Sequence, residues 1–207
     1  MEDVLDVYER PLDPRRPVVG FDERPCQLIG DVLVPTLPRP GRVKQVDSEY
    51  VRNGTANLFG WVEPLTGRRD VWVTERRTAT DFAHAMKRLC EAYPEASVII
   101  VVQDNLNTHT KAALYATFPA EEAHRIASRL EFHYTPKHGS WLNLQELEWS
   151  ALTRQALDQR VGDRDKLERL VSDWLRERRA RAVKIAWQFT TTTARVKLKK
   201  LYPTFST

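Results

Sequence analysis

The sequence predicts an α/β protein built on a mixed central sheet flanked by helices, and three observations predict it. Ser97–Val102 reads SVIIVV, a β-branched run of the kind buried on both faces of a sheet. Thr55–Val62 and Asp70–Thr74 are strand-like and flank the turn residues Pro64–Gly67, which makes a hairpin. Amphipathic helical stretches alternate with these strands, as in α/β folds. The 207 residues suit one domain, and 42% hydrophobic with 29% charged residues reads as globular. No apolar run approaches the roughly 18 residues of a membrane span. The N-terminus MEDVLDVYER is acidic and polar, unlike a signal peptide. The two cysteines, Cys26 and Cys90, offer neither a zinc spacing nor a disulfide framework, which fits a reducing compartment.

Along the chain, residues 1–16 read as an N-terminal lead-in with one helical turn at Leu5–Tyr8, ended by Pro11, Pro14 and Pro17. Val18–Phe21 is a short strand that runs into Asp22-Glu23. Residues 24–55 read as irregular because of Pro25, Pro35, Pro38 and Pro40, with room for short strands at Gln27–Ile29 and Val32–Val34. Thr80 is the expected cap of a helix to about Tyr93, whose Phe82, Met86, Leu89, Cys90 and Tyr93 share one face. Helices are expected at Thr110–Phe118 and Ala120–Arg129, a strand at Leu130–Tyr134, and a helix from about Trp141 to Leu157. Leu167, Leu170, Val171, Trp174 and Leu175 mark another amphipathic helix, with acids at its start and arginines at its end. Thr190–Thr193 interrupts before a last basic helix near Ala194.

The formal charge is +4, but its distribution is uneven. Arg176, Arg178, Arg179, Arg181, Lys184, Arg195, Lys197, Lys199 and Lys200 stand against one acid, Glu177, so residues 176–200 carry +8 and the rest −4. Such a block reads either as a polyanion-binding surface or as a solvated helical face.

Three acids sit where metal chemistry wants them. Asp22 ends the first strand, Asp104 follows the most apolar strand, and Glu146 lies on a helix. Carboxylates from separate elements suffice for Mg²⁺, which keeps several of its waters. Each has a plainer reading as well: a strand end for Asp22, a turn former for Asp104, a surface ion pair for Glu146. At 100° per residue Glu146 interrupts the stripe of Leu142 and Trp149, and Glu148 lies about 200° away from it, so both glutamates cannot face one site.

The motifs VVGFDE (18–23), VVQDNLNTH (101–109) and FHYTPKHGSWLNLQELEWSAL (132–152), with the tail WQFTTTTARVKLKKLYP (187–203), resemble the DDE transposases of bacterial insertion sequences, in the branch related to mariner elements. The resemblance runs from about residue 17 onward. It implies a ribonuclease-H-like fold, with a catalytic core at 17–160 and a basic helical extension at 161–207. It also implies two Mg²⁺ or Mn²⁺ ions held by Asp22, Asp104 and Glu146 as the catalytic triad. Asn105 and His109 match the family's DN…H signature, with roles in orienting the second Asp or touching phosphate. His138, Trp141 and Asn143 match the loop before the third acid; Trp141 as core filler and Asn143 as a helix cap are the alternatives.

The implied function is DNA strand cleavage and strand transfer in cut-and-paste transposition into TA targets. The basic residues of 176–200 would grip phosphates of element-end and target DNA. A homodimer on DNA and a cytoplasmic, nucleoid-associated protein follow from the same resemblance. The family also carries N-terminal helix-turn-helix domains, for which the 21 residues before Asp22 leave no room. The expectation is a split reading frame, a truncated copy or an internally started fragment, with end reading supplied by a separately encoded partner. Two other readings compete: a non-catalytic nucleic-acid-binding remnant, and a ribonuclease-H-type nuclease acting on RNA–DNA hybrids.

Overall fold

Every residue of β4 (Ile99–Gln103) is buried, as its β-branched composition requires. In the computed structural model, which describes residues 1–32, 49–137 and 139–202, β4 pairs in parallel with β1 (Val18–Asp31) and β5 (Leu130–Tyr134). On its other side β1 pairs antiparallel with β2 (Tyr50–Val62), and β2 pairs antiparallel with β3 (Arg69–Thr74). The five-stranded mixed sheet therefore runs β3-β2-β1-β4-β5.

The period-2 alternation of strand side chains divides the core between two faces. Val19, Phe21 and Val101 pack on α2 (Ala79–Ala92), α3 (Lys111–Thr117) and α4 (Ala120–Ala127) through Phe82, Met86, Leu114 and Ile126. The opposite face has two patches. Leu58 and Val71 lie under α5 (Gln145–Gln155) and α6 (Arg164–Ala180), through Trp149, Leu152, Leu167 and Trp174. Val62, Ile100 and Val102 lie with α1 (Glu2–Tyr8), Leu142, Leu144 and Ala194 of α7 (Thr191–Lys197).

Several elements differ from expectation. Residues 24–31 and 50–55 are not irregular: they are the far half of β1 and the start of β2, paired from Arg24↔Leu58 to Asp31↔Tyr50. Pro25 is tolerated there because β1 is bonded to β4 only over Val18–Gly20, so beyond it one edge has no ladder to lose. Of the expected strands, Gln27–Ile29 is part of β1, Val32 lies just past it, and residues 33 and 34 are outside the described residues, as are Pro35, Pro38 and Pro40. The cap of α2 is Thr78, not Thr80. Thr78 Oγ1 accepts from Asp81 N (3.3 Å) and its own N–H donates to Asp81 Oδ2 (2.7 Å), a capping box that Thr80 cannot form with Ala83. Thr190 starts α7 rather than interrupting a helix, since its hydroxyl accepts from Thr193 N (3.2 Å). The helix expected from Trp141 is a 3₁₀ turn at Ser140–Leu142, an extended Asn143, and then α5.

Just past the C-terminal cap of α6, Ala182 has a φ of 45°. A side chain in this left-handed region costs about 1–2 kcal/mol, which glycine avoids. Ala182→Gly is therefore expected to stabilise the protein by about 1 kcal/mol, a rise of roughly 2–4 °C in a melting curve. An unchanged or lower midpoint would contradict this account of the helix end.

Candidate active site

β1 and β4 are in parallel register, Gly20 opposite Val102. Continued two residues past its last pair, that register would set Asp22 level with Asp104, which lies just beyond the last residue of β4. Asp104 thus follows the carboxyl end of β4, a usual ligand position in α/β folds, whereas Asp22 does not end its strand: it lies inside β1, opposite Gly60 of β2, just past the stretch that pairs with β4.

Asp22 is 9% exposed, and its Oδ2 accepts the indole N–H of Trp149 at 2.8 Å. Burial, then the nearby charges of Glu146 and Glu23, push its carboxyl up to about 7; the Trp149 bond opposes this and Asp104 adds to it. Carboxylate oxygens are the donors that Mg²⁺ and Mn²⁺ prefer.

Helix α5 brings Glu146 to this place by lying very close to the sheet. A Cβ on Gly20 would meet Gln145 N at 3.1 Å, and one on Gly60, the β2 partner of Asp22, would meet the Trp149 ring at 2.7 Å. A side chain at Gly60 would force the indole or Gln145 to move, and one at Gly20 would crowd the start of α5. Asn143 pins the helix start: its Nδ2 donates to Phe21 O (2.8 Å) and its Oδ1 accepts from Gln145 N (3.1 Å). One side chain, just before the N-cap Leu144, therefore satisfies the first N–H of α5 and ties the helix to the strand beside Asp22.

The stripe expected on α5 is rotated. Its buried side chains are Gln145, Glu148, Trp149, Ala151 and Leu152, while Glu146 is exposed. Two of those inward residues are polar, which hid the face from a hydrophobicity pattern. Glu148, 2% exposed, is paired with Arg69 Nη1 (3.1 Å; 1% exposed) and Arg178 Nη2 (2.7 Å; 13% exposed). The two glutamates do face different ways.

His109 lies beneath Asp104 with 1% of its side chain exposed. Its Nδ1 is 2.6 Å from Asp104 Oδ1 and its Nε2 is 2.7 Å from Glu23 Oε2, itself 4% exposed. Phe82 stacks on the ring and Phe21 meets it edge-on. Burial alone would lower the pKa of this imidazole, but the hydrogen bonds to Asp104 and Glu23 outweigh it and hold the ring charged, up to about 9. Both ring nitrogens of His109 thus face carboxylates, those of Asp104 and Glu23. Asn105 is exposed and makes no hydrogen bond among the described residues. Trp141 is 46% exposed with its ring against Phe189, so it is not core filler. His138 lies outside the described residues.

Composition could not reveal Glu23 or Trp149 as site residues. Glu23 is adjacent to Asp22 yet points to the other sheet face, and Trp149 reads as plain core. As the side chains stand, the described residues contain no group of three His, Cys, Asp or Glu set to hold a metal ion. Trp149 and His109 engage one oxygen each of Asp22 and Asp104.

The basic block also divides. Arg178 pairs with buried Glu148, and Arg179, half exposed, bonds Arg69 O (2.8 Å) and Asp70 (2.8 Å). Arg176, Arg181 and Arg195 pair with Asp173, Glu177 and Glu2. Lys184, Lys197, Lys199 and Lys200 are exposed and have no ion pair among the described residues.

Residues 17–168 match the family description DDE superfamily endonuclease. The chain belongs to this family. The DDE endonuclease has the ribonuclease-H-like fold of solved transposases. It resembles the Mos1 mariner paired-end complex with Mn (TM-score 0.57, 18% identity, 88% of this chain and 55% of that one) and the Mos1 strand transfer complex (0.58, 17%, 88% and 54%). A simian T-cell lymphotropic virus intasome chain matches at 0.50, with 13% identity over 81% of this chain and 49% of that one. The DDE domain spans about half the length of the Mos1 chains it matches. No curated protein matches the sequence. Among the described residues, no helix is long and apolar enough to cross a membrane.

Proposed function

We propose that this chain is the catalytic domain of a cut-and-paste transposase, cleaving DNA at element ends and joining the freed 3′-hydroxyl to target DNA at TA sites. The supporting observation is the register that, continued past its last pair, sets Asp22 level with Asp104 while Asn143 anchors the helix bearing Glu146. These three acids are the proposed catalytic residues and the holders of two Mg²⁺ or Mn²⁺ ions. Bound there, the ions supply Lewis-acid stabilisation of phosphoryl oxygens and a more acidic attacking hydroxyl.

The chain's own groups set up that chemistry. Trp149 and the charged His109 orient Asp22 and Asp104. Lys184, Lys197, Lys199 and Lys200 neutralise backbone phosphates, a salt-dependent and sequence-independent contribution. Arg176, Arg181 and Arg195 join them only by giving up surface ion pairs, each worth little. The core at 17–160, the basic extension at 161–207, dimerisation on DNA and a separate end-reading partner belong to the same reading.

Strand cleavage and joining on supercoiled DNA carrying the native element ends, with and without a separately supplied upstream product, tests it. Metal-dependent nicking and joining is expected. Binding without cleavage would indicate a non-catalytic remnant. Preference for an RNA–DNA hybrid over duplex DNA would indicate a ribonuclease-H-type enzyme.

A further inference from the structure

Of the six tryptophans, Trp141 alone is exposed. It is nevertheless held rigidly. The turn that carries it is closed by Leu142 N donating to Gly139 O (3.0 Å) and Asn143 N donating to Ser140 O (2.7 Å). Buried Tyr8 of α1 clamps the turn from below: its hydroxyl donates to Leu142 O (2.8 Å) and accepts from Leu144 N (3.4 Å). Phe189 meets the indole at 79° with ring centroids 5.4 Å apart, and Trp141 stays 46% exposed. Phe189 is in turn held by Trp187, whose Nε1 donates to Phe189 O (2.6 Å) and whose ring packs on Tyr8.

The surroundings show what such an indole is for. Leu106, two residues after Asp104, is 41% exposed, and Leu147, next to Glu146, is 47% exposed. Two of the acids are thus followed in sequence, within two residues, by an exposed apolar side chain, a surface that phosphates do not want. A base has an apolar π-face; in an intact duplex that face is hidden in the stack. A rigid, half-exposed indole contributes contact area with little entropy left to lose on binding.

We propose that Trp141 is a stacking platform for an unpaired nucleobase of the DNA strand held at the acids. This rests on the nuclease reading above and adds that the strand is locally unstacked at the cleaved bond. Trp141 is five residues from Glu146, a reach of at most about 18 Å. At about 3.4 Å per stacked base, the base concerned lies within about five nucleotides of the cut.

The test uses the full chain in Ca²⁺ with a centrally nicked duplex in which each nucleotide flanking the nick is replaced in turn by iodouracil or by an abasic nucleotide. Photocrosslinking should map to Trp141 at one or two adjacent positions. Trp141→Ala should weaken binding about 5- to 150-fold, the range of one base–aromatic stack, and Trp141→Phe should retain most of the affinity. The abasic substitution at the crosslinked position should erase the difference between wild type and Trp141→Ala. A purely structural role would instead weaken binding equally whether or not that base is present, and would overturn the proposal. So would crosslinks that map elsewhere. A wild-type chain that nicks DNA but is indifferent to both changes overturns this inference alone; one that neither binds nor nicks DNA overturns the nuclease reading with it.

Discussion

Glu148→Ala is expected to destabilise the protein by about 3–5 kcal/mol, because it strands two guanidinium groups in the core. Arg69 is 1% exposed, and burial lowers its pKa while Glu148 opposes that. Arg69 comes from β3, Arg178 from α6 and Glu148 from α5, so one carboxylate joins three elements. Arg69 also donates to Gly67 O and to Val183 O, extending the network to the segment after α6. A denaturation curve should show the loss at neutral pH. Replacing the whole triad by apolar residues of similar volume should cost far less, since the charges would leave together. A Glu148→Ala loss below about 1 kcal/mol would show that the arginines find water instead.

Asp22→Asn is expected to remove nicking and yet raise stability in metal-free buffer at pH 8. The carboxyl of Asp22 has a native pKa of about 7 against an ordinary 3.8. For an acid raised in the native state, the unfolded chain ionises first as pH rises. Native stability is therefore complete below about pH 4, falls between pH 4 and 7, and stays low above it. The full loss is at most about 4 kcal/mol. Asparagine is uncharged at every pH and still offers Trp149 an oxygen. The variant should melt several degrees above wild type at pH 8 and close to it at pH 4. A lower midpoint at pH 8 would show that the Asp22 charge is compensated in the native protein.

Both predictions come from features that a linear reading sees poorly. β4 was legible as an unbroken β-branched run, and α6 by its helical period with Gly162-Asp163 before it. The long arms of β1 and β2 were not, because Pro25 and the polar residues around it look irregular until one edge of the strand is known to be free. The inward face of α5 was missed for a related reason. Its Gln145 and Glu148 are polar, and Glu148 is buried only because Arg69 and Arg178 arrive from distant positions. Asp22, Asp104 and Glu146 stood out through the motifs around them. The pairing of His109 with Glu23 did not, since it crosses from one sheet element to a loop 86 residues away in sequence. Charge was the most misleading of the simple signals. Part of the C-terminal block holds the protein's own carboxylates, which leaves the lysines as its uncommitted cations.

The central claim, that these acids carry out cation-dependent DNA cleavage, is tested most directly by nicking of supercoiled DNA in Mn²⁺ by wild type and by Asp104→Asn. The account predicts nicking by wild type only when the cation is present, and none by Asp104→Asn, with the variant still folded and still binding DNA. Undiminished nicking by Asp104→Asn would contradict it.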